Sequence, residues 1–381
     1  MTVLSLCATP EYTGPAELML EDAETLRAAG REVRLGFDMR RAGSLRPAVE
    51  ERGLPFETEL DLCRQTRLLP AWRDVRLLRS FLKSGRYDTL HVRFAHDHLL
   101  AVLAMAGLDR SRLRLIRSVE LLENAAKGFD AAFMFSRTDH FVVPSLEHAE
   151  LLHDNHQVPR ERISLLRGRV DGERFHPGTS SLRLDLGIPS SAPVVGIVSR
   201  IKPDRRHADL IESFRLASQL VPDAWLVVVG RGEGEASVRE QVRAAGLEAK
   251  VRFAGYRQGD ALADAYRALD VKAWLATGND GTCRAVLEAM ASGCAILGGD
   301  FGAVRDAVVD RATGWLVDPR DHDATATALV RLLENLPKTR ALGAAGRERA
   351  LQLYSPARRA GELVQLYERV WQQPGVGSVY R

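Results

Sequence analysis

The feature that most constrains the fold of this sequence is an alternation of short apolar runs with stretches of helical periodicity, and the alternation occurs twice along 381 residues. Such alternation is typical of parallel α/β sheets. In the first half the runs predict strands at Val3–Cys7, Val33–Phe37, Thr89–Phe94, Leu113–Val119, His140–Val143 and Ile163–Leu166. In the second half they predict strands at Val194–Val198, Trp225–Val229, Val251–Phe253, Val271–Leu275, Cys294–Leu297 and Trp315–Val317. The pattern therefore predicts two successive α/β domains.

A polar stretch rich in Pro, Gly and Ser at 176–193 separates the two halves and predicts a linker. It divides an N-terminal domain, 1–175, from a C-terminal domain, 194–355. Apolar residues at helical spacing between Leu363 and Trp371 predict one further helix within the last segment, 356–381.

Composition excludes several classes of protein. The net charge is only +3, which argues against a dedicated nucleic-acid binder. The four cysteines are scattered, which predicts neither a disulfide framework nor a zinc site and fits a reducing compartment. The segment 1–7 lacks the features of a signal peptide, and no run approaches the ~20 apolar residues of a membrane span. We expect a cytoplasmic protein, or one attached peripherally at the inner membrane surface.

The segment 280–293 combines two carboxylates with a helical pattern. Asp280-Gly281-Thr282 predicts a helix entrance, where free N–H groups and the helix dipole attract anions. Glu288 follows two turns later among apolar neighbours, where an ionised side chain is costly unless a polar group holds it. Gly293 predicts the end of the helix. The alternative is an ordinary N-cap at Asp280 and a surface residue at Glu288.

Two loops that follow predicted strands add candidate ligand-binding groups. The loop after Val198 carries four cations in seven residues, which suits a diphosphate, although a solvated loop is the plain alternative. The loop after Val229 begins with Gly230, whose freedom permits a tight turn close to a ligand. Loops at the carboxyl ends of parallel strands line the ligand crevice of such sheets.

These residues resemble a known family. An acid, seven residues, Glu288 and then Ala-Met-Ala-x-Gly is similar to the E-x7-E segment of family 4 glycosyltransferases, with Asp280 in place of the first Glu. Arg200 and Arg205 match the family's Arg and a Lys five residues later, with Arg in the Lys position. The resemblance implies the GT-B fold, in which two Rossmann-like α/β domains face each other across a cleft and the C-terminal helix crosses back to the first domain.

The resemblance also implies a retaining transferase that moves a sugar from a UDP- or GDP-sugar to an acceptor hydroxyl. The implied donor site consists of Gly14, Arg200, Arg205, Gly230, Asp280, Gly281, Thr282, Cys283 and Glu288. The implied catalytic residues are Asp280, His96, Arg200 and Arg205. In that scheme Glu288 holds the ribose, the two arginines hold the diphosphate, and Asp280 orients the sugar. No cofactor and no metal are implied.

The cluster 91–98 contains three histidines and resembles the family's H-x-H region. His91 aligns with the first His and Arg93 with the second, which leaves His96 as a catalytic candidate. Two other interpretations stay open: the histidines bind a metal, or His91 packs in the strand and His98 caps a helix.

The acceptor and the surface that presents it are less defined by the sequence. Residues 64–86 alternate arginines with apolar residues, which indicates a basic amphipathic helix able to rest on an anionic membrane. An ordinary outer helix is the alternative, and Pro70 interrupts the pattern. The expected partners are a nucleotide-sugar donor and a glycan, lipid-linked or small-molecule acceptor. Rival functions are a catalytically silent nucleotide-sugar-binding subunit and a nucleotide-sugar epimerase of the same architecture.

Overall fold

The computed structural model describes residues 1–63, 68–121, 129–276, 283–373 and 375–376. The chain divides into two compact units. Unit 1 comprises Met1–Arg167 and Arg359–Arg381, and unit 2 comprises Gly168–Arg358. Among the described residues, no helix combines the length and the apolar content needed to cross a bilayer.

Unit 1 is built on a six-stranded parallel sheet. Its strands are β1 (Thr2–Cys7), β2 (Glu32–Phe37), β3 (Thr89–Val92), β4 (Arg114–Ser118), β5 (His140–Val143) and β6 (Ile163–Leu165), in the order β2-β1-β3-β4-β5-β6. Its helices are α1 (Gly14–Ala28), α2 (Leu45–Glu51), α3 (Leu68–Lys83), α4 (Ala95–Met105), α5 (Phe129–Phe135) and α6 (Leu146–His156). All six strands predicted in the first half are present.

Unit 2 repeats the plan with a second six-stranded parallel sheet. Helix α7 (Leu182–Asp185) precedes β7 (Val194–Val198), α8 (His207–Ser218), β8 (Trp225–Val229), α9 (Glu235–Ala244), β9 (Val251–Gly255), α10 (Gly259–Arg267) and β10 (Val271–Trp274). Then follow α11 (Arg284–Ala291), β11 (Ala295–Gly299), α12 (Gly302–Ala307), β12 (Gly314–Val317), α13 (His322–Leu333), α14 (Leu336–Leu353) and α15 (Pro356–Gln372). The strand order is β12-β11-β10-β7-β8-β9.

Both faces of the unit 2 sheet are covered, which is why its strands read as continuous apolar runs rather than as alternating ones. Val194 and Val198 of β7 pack into one apolar core, whereas Val195 and Ile197 pack into another. Successive side chains of a strand point to opposite faces, so the two cores lie on the two sides of the sheet. The twelve predicted strands therefore form the two α/β sheets of the predicted fold class.

Helix α15 belongs to unit 1 from Arg359 onward, as expected for the predicted crossover helix. Arg359 donates from Nη1 to Asp22 Oδ1 over 2.7 Å. The hydroxyl of Tyr367 lies 2.7 Å from Nδ1 of His91. Near its end, the carbonyl of Val370 accepts a 3.0 Å hydrogen bond from Nε of Arg114, which satisfies one of the carbonyls that a helix C-terminus leaves unpaired.

Two local features differ from the sequence interpretation. The segment 176–193 lies inside unit 2, where Leu182, Ile188 and Ala192 are buried in a core. The high content of polar residues in this segment predicted a linker, although its few apolar residues pack into the core. Pro70 does not interrupt α3, because it lies in the first turn, where a missing N–H costs no helical hydrogen bond.

Candidate active site in unit 2

The strand order of unit 2 creates a crevice at one point of the sheet edge. After β7 the chain adds β8 and β9 on one side and then returns to place β10 on the other side. Ligands of open α/β sheets bind at the carboxyl ends of the strands where the order reverses in this way. In unit 2 that point lies between β7 and β10. The segment after β7 contains Arg200 and Arg205, and the segment after β10 leads to α11 and Glu288.

Close backbone packing holds the loops after β7 and β8 together. A Cβ on Gly230, whose φ is +143°, would lie 1.9 Å from the carbonyl oxygen of Ser199. No larger residue fits there, and that backbone conformation also favours glycine. Ser199 donates its N–H to Val229, and Ile201 donates its N–H to Arg231, so the pairing of β7 and β8 continues beyond the strands. Gly230 thus acts on the site by fixing the cationic loop.

Arg205 lies at the end of the 3₁₀ helix Pro203–Arg205, and its side chain is only 16% exposed. Its guanidinium carbon lies 5.5 Å from the ring centroid of Trp274, the last residue of β10. Nε and Nη1 are buried without a hydrogen-bond partner among the described residues, and the carboxylate of Asp204 is 3.7 Å from Nε. Leaving such donors unpaired is costly, and a bound anion would satisfy them.

The other cations of this loop have different surroundings. Arg200 is exposed, and no ion pair is found for it among the described residues. Lys202 lies 3.5 Å from Glu233, and Arg206 lies 3.3 Å from Asp209. Arg200 and Arg205 are therefore the cations of this loop best suited to take up an anion. Arg200 has no ion pair among the described residues, and Arg205 keeps two buried donors without a hydrogen bond although the carboxylate of Asp204 lies 3.7 Å from its Nε.

The predicted residues Asp280, Gly281 and Thr282 lie outside the described residues, because the description stops at Ala276 and resumes at Cys283. Cys283 is buried with a left-handed backbone, φ 43°, directly before α11. A non-glycine residue in that region stores strain of about 1–3 kcal/mol, a feature that clusters at functional sites. Helix α11 ends at Ala291, and Gly293 follows with φ +84°, as the sequence predicts.

Glu288 lies on α11 and is half-buried, while its neighbours Leu287 and Ala289 are fully buried. Its carboxylate Oε2 accepts a 2.8 Å hydrogen bond from the hydroxyl of Tyr266 on α10. Glu288 is therefore a polar group held in an apolar setting, as its sequence context predicts. The partnership with Tyr266 has no signal in the sequence, because the two residues lie on different helices 22 positions apart.

Unit 1 has a switch point of its own between β1 and β3, and the remaining two predicted residues follow those strands. Gly14 begins α1, where an added Cβ would meet nothing described within 4 Å, so packing does not require glycine. His96 is half-buried in the first turn of α4. The structure thus brings these two residues to one edge of the unit 1 sheet.

The other two histidines of the 91–98 cluster are structural. Nε2 of His91 lies 2.8 Å from the hydroxyl of Ser118, and Nε2 of His98 lies 2.7 Å from that of Thr138. Burial lowers the pKa of both rings well below the ordinary value, so both are neutral near pH 7. His98 is buried within α4 rather than capping it. Among the described residues, no group of three ligating side chains forms a metal site.

Sequence reasoning missed a buried charge network at the same edge of unit 1. Arg93 is fully buried and donates to Asp22 over 2.7 Å and to Glu120 over 3.0 Å. Burial alone would raise the pKa of Asp22, but Arg359 and Arg93 outweigh it and the pKa lies below its ordinary value. Burial raises the pKa of Glu120, against the opposing effect of Arg93. The only signal in the sequence was an arginine at the end of an apolar strand.

Comparisons with known proteins agree with this organisation. Residues 180–349 match the family model described as glycosyl transferases group 1, and residues 13–174 match the model described as glycosyltransferase family 4. Each match falls largely within one of the two α/β regions.

Relatives and a solved structure extend the likeness over most of the chain. The chain is 30% identical to D-inositol 3-phosphate glycosyltransferase of Corynebacterium urealyticum over 306 residues, which is 77% of this chain and 70% of the relative. It is 31% identical over 188 residues to the GDP-mannose-dependent monoacylated α-(1-6)-phosphatidylinositol monomannoside mannosyltransferase of Corynebacterium glutamicum. This match covers 47% of this chain and 49% of the relative. Its fold is similar to that of HepE from Anabaena, solved with UDP, at TM-score 0.81 and 18% identity over 97% of this chain and 100% of that one.

Proposed function

This chain belongs to glycosyltransferase family 4 and is a nucleotide-sugar-dependent glycosyltransferase with the GT-B fold, and on that premise we propose that it transfers the sugar with retention of anomeric configuration to an acceptor hydroxyl. The observation that carries the proposal is the meeting of the β7 and β10 segments at the switch point of unit 2. The buried guanidinium of Arg205 lies there against Trp274, and α11 with Glu288 follows on the same side.

The donor diphosphate is assigned to Arg200 and Arg205. A guanidinium offers paired N–H groups that match phosphate oxygens, and such charge-assisted hydrogen bonds are the strong ones. Arg205 has buried donors in need of an acceptor, and Arg200 adds an exposed charge beside them. The N–H groups at Gly281–Cys283 are proposed to contribute further donors. Two arginines at the diphosphate would stabilise the leaving charge without a metal ion.

The ribose is assigned to Glu288, and the sugar to Asp280. A carboxylate accepts hydrogen bonds from two neighbouring hydroxyls, which suits the 2′ and 3′ positions of a ribose. Glu288 is half-buried, so those bonds would form with little competition from water. Asp280 is proposed to orient the sugar near its reacting carbon. Gly230 is proposed to act through the loop that it holds in place.

In the proposed reaction the acceptor oxygen attacks the anomeric carbon on the face from which the diphosphate departs. The bond between that carbon and the phosphate oxygen breaks, the bond to the acceptor oxygen forms, and the acceptor proton passes to the departing phosphate. The protein supplies positioning and stabilisation of developing charge. Arg200 and Arg205 act on the leaving group. From the resemblance, His96 is proposed to act on the reacting sugar and Gly14 on the diphosphate.

We propose an acceptor that is a glycan, a glycolipid or a small polyol. The two relatives described above are named for inositol-containing acceptors, one free and one lipid-linked. The rival interpretations, a silent binding subunit or an epimerase, are less favoured because the named relatives are transferases.

A lipid-linked acceptor would suit the surface of α3. Leu69 is 85% exposed and Trp72 is 58% exposed, and the exposed residues Arg73 and Arg76 lie on the same helix. Apolar side chains next to cations favour contact with an anionic bilayer surface. When phosphatidylglycerol vesicles are sedimented, the wild type should be found in the pellet with the vesicles and Trp72→Ser in the supernatant. Leu184→Ser, which alters an equally exposed leucine of unit 2, should behave as the wild type. Failure of the wild type to sediment would reject this membrane contact.

The proposed function is tested by identifying the donor and then the product. UDP- and GDP-sugars are screened for protection against thermal unfolding, since a ligand that binds the folded state raises its stability. The protecting donor is incubated with inositol phosphates and phosphatidylinositol glycolipids, and the anomeric configuration of the product is read by NMR. The proposal predicts a product with the same configuration as the donor. An inverted product, or donor consumption without an acceptor, would contradict it.

A further inference from the structure

Tyr266 and Glu288 form a polar pair inside an otherwise apolar region of unit 2. Tyr266 is fully buried, with no exposed surface, and its hydroxyl donates to Oε2 of Glu288 over 2.8 Å. The surrounding core contains Ala263, Val286, Leu287, Ala289 and Met290. The hydroxyl of a buried tyrosine usually has a hydrogen-bond partner, and here that partner is the carboxylate of Glu288. The hydrogen bond between Tyr266 and Glu288 is therefore a specific polar contact within this apolar core.

Tyr266 is held through both its ring and its backbone. Phe175 meets it edge-on, with ring centroids 5.8 Å apart. The thiol of Cys294 lies 3.3 Å from the carbonyl oxygen of Tyr266 and donates to it. Helix α10 thus presents the hydroxyl from a rigid position. A long, flexible glutamate side chain would otherwise sample several rotamers, each of which points its carboxylate elsewhere.

We propose that Tyr266 is a positioning residue, which orients the carboxylate of Glu288 for the ribose hydroxyls of the donor nucleotide. The inference rests on the proposed function, because it requires that Glu288 bind the ribose. A carboxylate has about four acceptor sites, and the hydrogen bond from Tyr266 occupies one of them, on Oε2, so this bond is compatible with ribose hydroxyls on the same carboxylate. The phenol restricts the rotamer before the nucleotide arrives, and preorganisation of this kind reduces the cost of binding.

A merely structural tyrosine and a positioning tyrosine predict different ligand dependence. Removing the hydroxyl should weaken binding of a nucleotide that has ribose hydroxyls and leave binding of one that lacks them unchanged. The probes are UDP, GDP and their 2′,3′-dideoxy counterparts, titrated calorimetrically into the full chain. General damage to the fold would weaken all four probes alike, so the comparison within one protein sample separates the two roles.

The variants are Tyr266→Phe, Glu288→Ala and the double variant. Tyr354→Phe is the matched control, because it removes the hydroxyl of another buried tyrosine of unit 2. We expect Tyr266→Phe to raise the Kd of the tighter-binding ribonucleotide about threefold to tenfold, a fraction of what a charged hydrogen bond contributes. Its Kd for the dideoxynucleotide should stay unchanged. In the double variant the two effects should not multiply, since both act on the same contact.

The outcomes separate this inference from the proposed function. Full ribonucleotide affinity in Tyr266→Phe, together with a loss in Glu288→Ala, overturns the positioning role and leaves the donor assignment standing. Equal losses for ribo- and dideoxynucleotides in Tyr266→Phe also overturn it, since they indicate general damage. Unchanged affinity in Glu288→Ala rejects the ribose assignment itself, and with it the inference.

Discussion

Replacing Arg205 by methionine should uncouple nucleotide affinity from stability. Methionine retains an apolar chain that can pack against Trp274 but removes the guanidinium. In the free protein Nε and Nη1 of Arg205 are buried without a hydrogen-bond partner among the described residues, so the cation has a desolvation cost and little compensation. The side chain is only 16% exposed, so water relieves that cost only in part. This situation is typical of a residue retained for a ligand.

The magnitude follows from the hydrogen bonds that the guanidinium would make. A hydrogen bond to a charged group contributes about 1.5–3 kcal/mol. Loss of one such bond should therefore raise the Kd for UDP or GDP by about 10- to 150-fold. Isothermal titration at fixed salt measures this change. Thermal unfolding without nucleotide should give a midpoint no lower than that of the wild type, because the substitution removes two buried donors without hydrogen bonds and sacrifices only a 3.7 Å contact with the carboxylate of Asp204.

The matched control is Arg206→Met. Arg206 is the next residue of the same loop, but its Nη1 donates a 3.3 Å hydrogen bond to Asp209, whereas Nε and Nη1 of Arg205 have no such bond among the described residues. The control removes the same charge from the same loop, and we expect its Kd to change less than about threefold, as for a screened surface charge. Unchanged affinity in Arg205→Met, with a lowered unfolding midpoint, would mean that Arg205 is an ordinary structural arginine. Equal losses in both variants would mean that only the net charge of the loop matters. Either result would exclude a specific role of Arg205 at the diphosphate.

Three further predictions concern the loop, the pH dependence and the metal requirement. Gly230→Ala should lose about 1–3 kcal/mol of unfolding free energy in denaturant titrations, and most of its nucleotide affinity. The new Cβ would lie 1.9 Å from the carbonyl oxygen of Ser199, and the φ of +143° is unfavourable for alanine. The control Gly361→Ala should not be destabilised, because the space around Gly361 is open. Burial lowers the pKa of His140 to about 4, so near pH 6.5 the unfolded chain takes up a proton at this residue and the folded chain does not. The wild type should therefore lose unfolding free energy relative to His140→Gln as the pH falls from 6.5 towards 4. Parallel profiles of unfolding free energy against pH would contradict this. Transfer activity should survive excess EDTA, because Arg200 and Arg205 are proposed to neutralise the diphosphate; loss of activity that added Mg²⁺ or Mn²⁺ restores would contradict this.

The elements of the fold that depend on local pattern were predictable from the sequence. A strand buried on both faces produces a continuous apolar run, so all twelve strands were predicted, and β5, β7 and β8 with the bounds that the structure has. The end of α11 was predictable because Gly293 adopts a conformation that other residues avoid. The location of Arg200 and Arg205 after a strand was equally visible, since loops at strand ends form the ligand edge.

The features that depend on residues distant in sequence were not predictable. Asp22 and Arg359 form a buried ion pair across 337 positions, and neither residue has a local signal. The hydrogen bond between Tyr266 and Glu288 also lacks a local signal in the sequence, because the packing of α10 against α11 brings the two residues together. The segment 176–193 was wrongly predicted to be a linker because Pro, Gly and Ser are frequent in it. Its few apolar residues are buried in the core of unit 2.

An experimental structure of the protein with UDP or GDP bound would test the proposed donor site most directly. We expect the diphosphate within hydrogen-bonding distance of Arg200 and Arg205, at the carboxyl ends of β7 and β10. We also expect the ribose hydroxyls on the carboxylate of Glu288, with Tyr266 still bonded to Oε2. A nucleotide bound at any other edge of the sheet, or with its ribose turned away from Glu288, would show that the donor site is wrongly assigned.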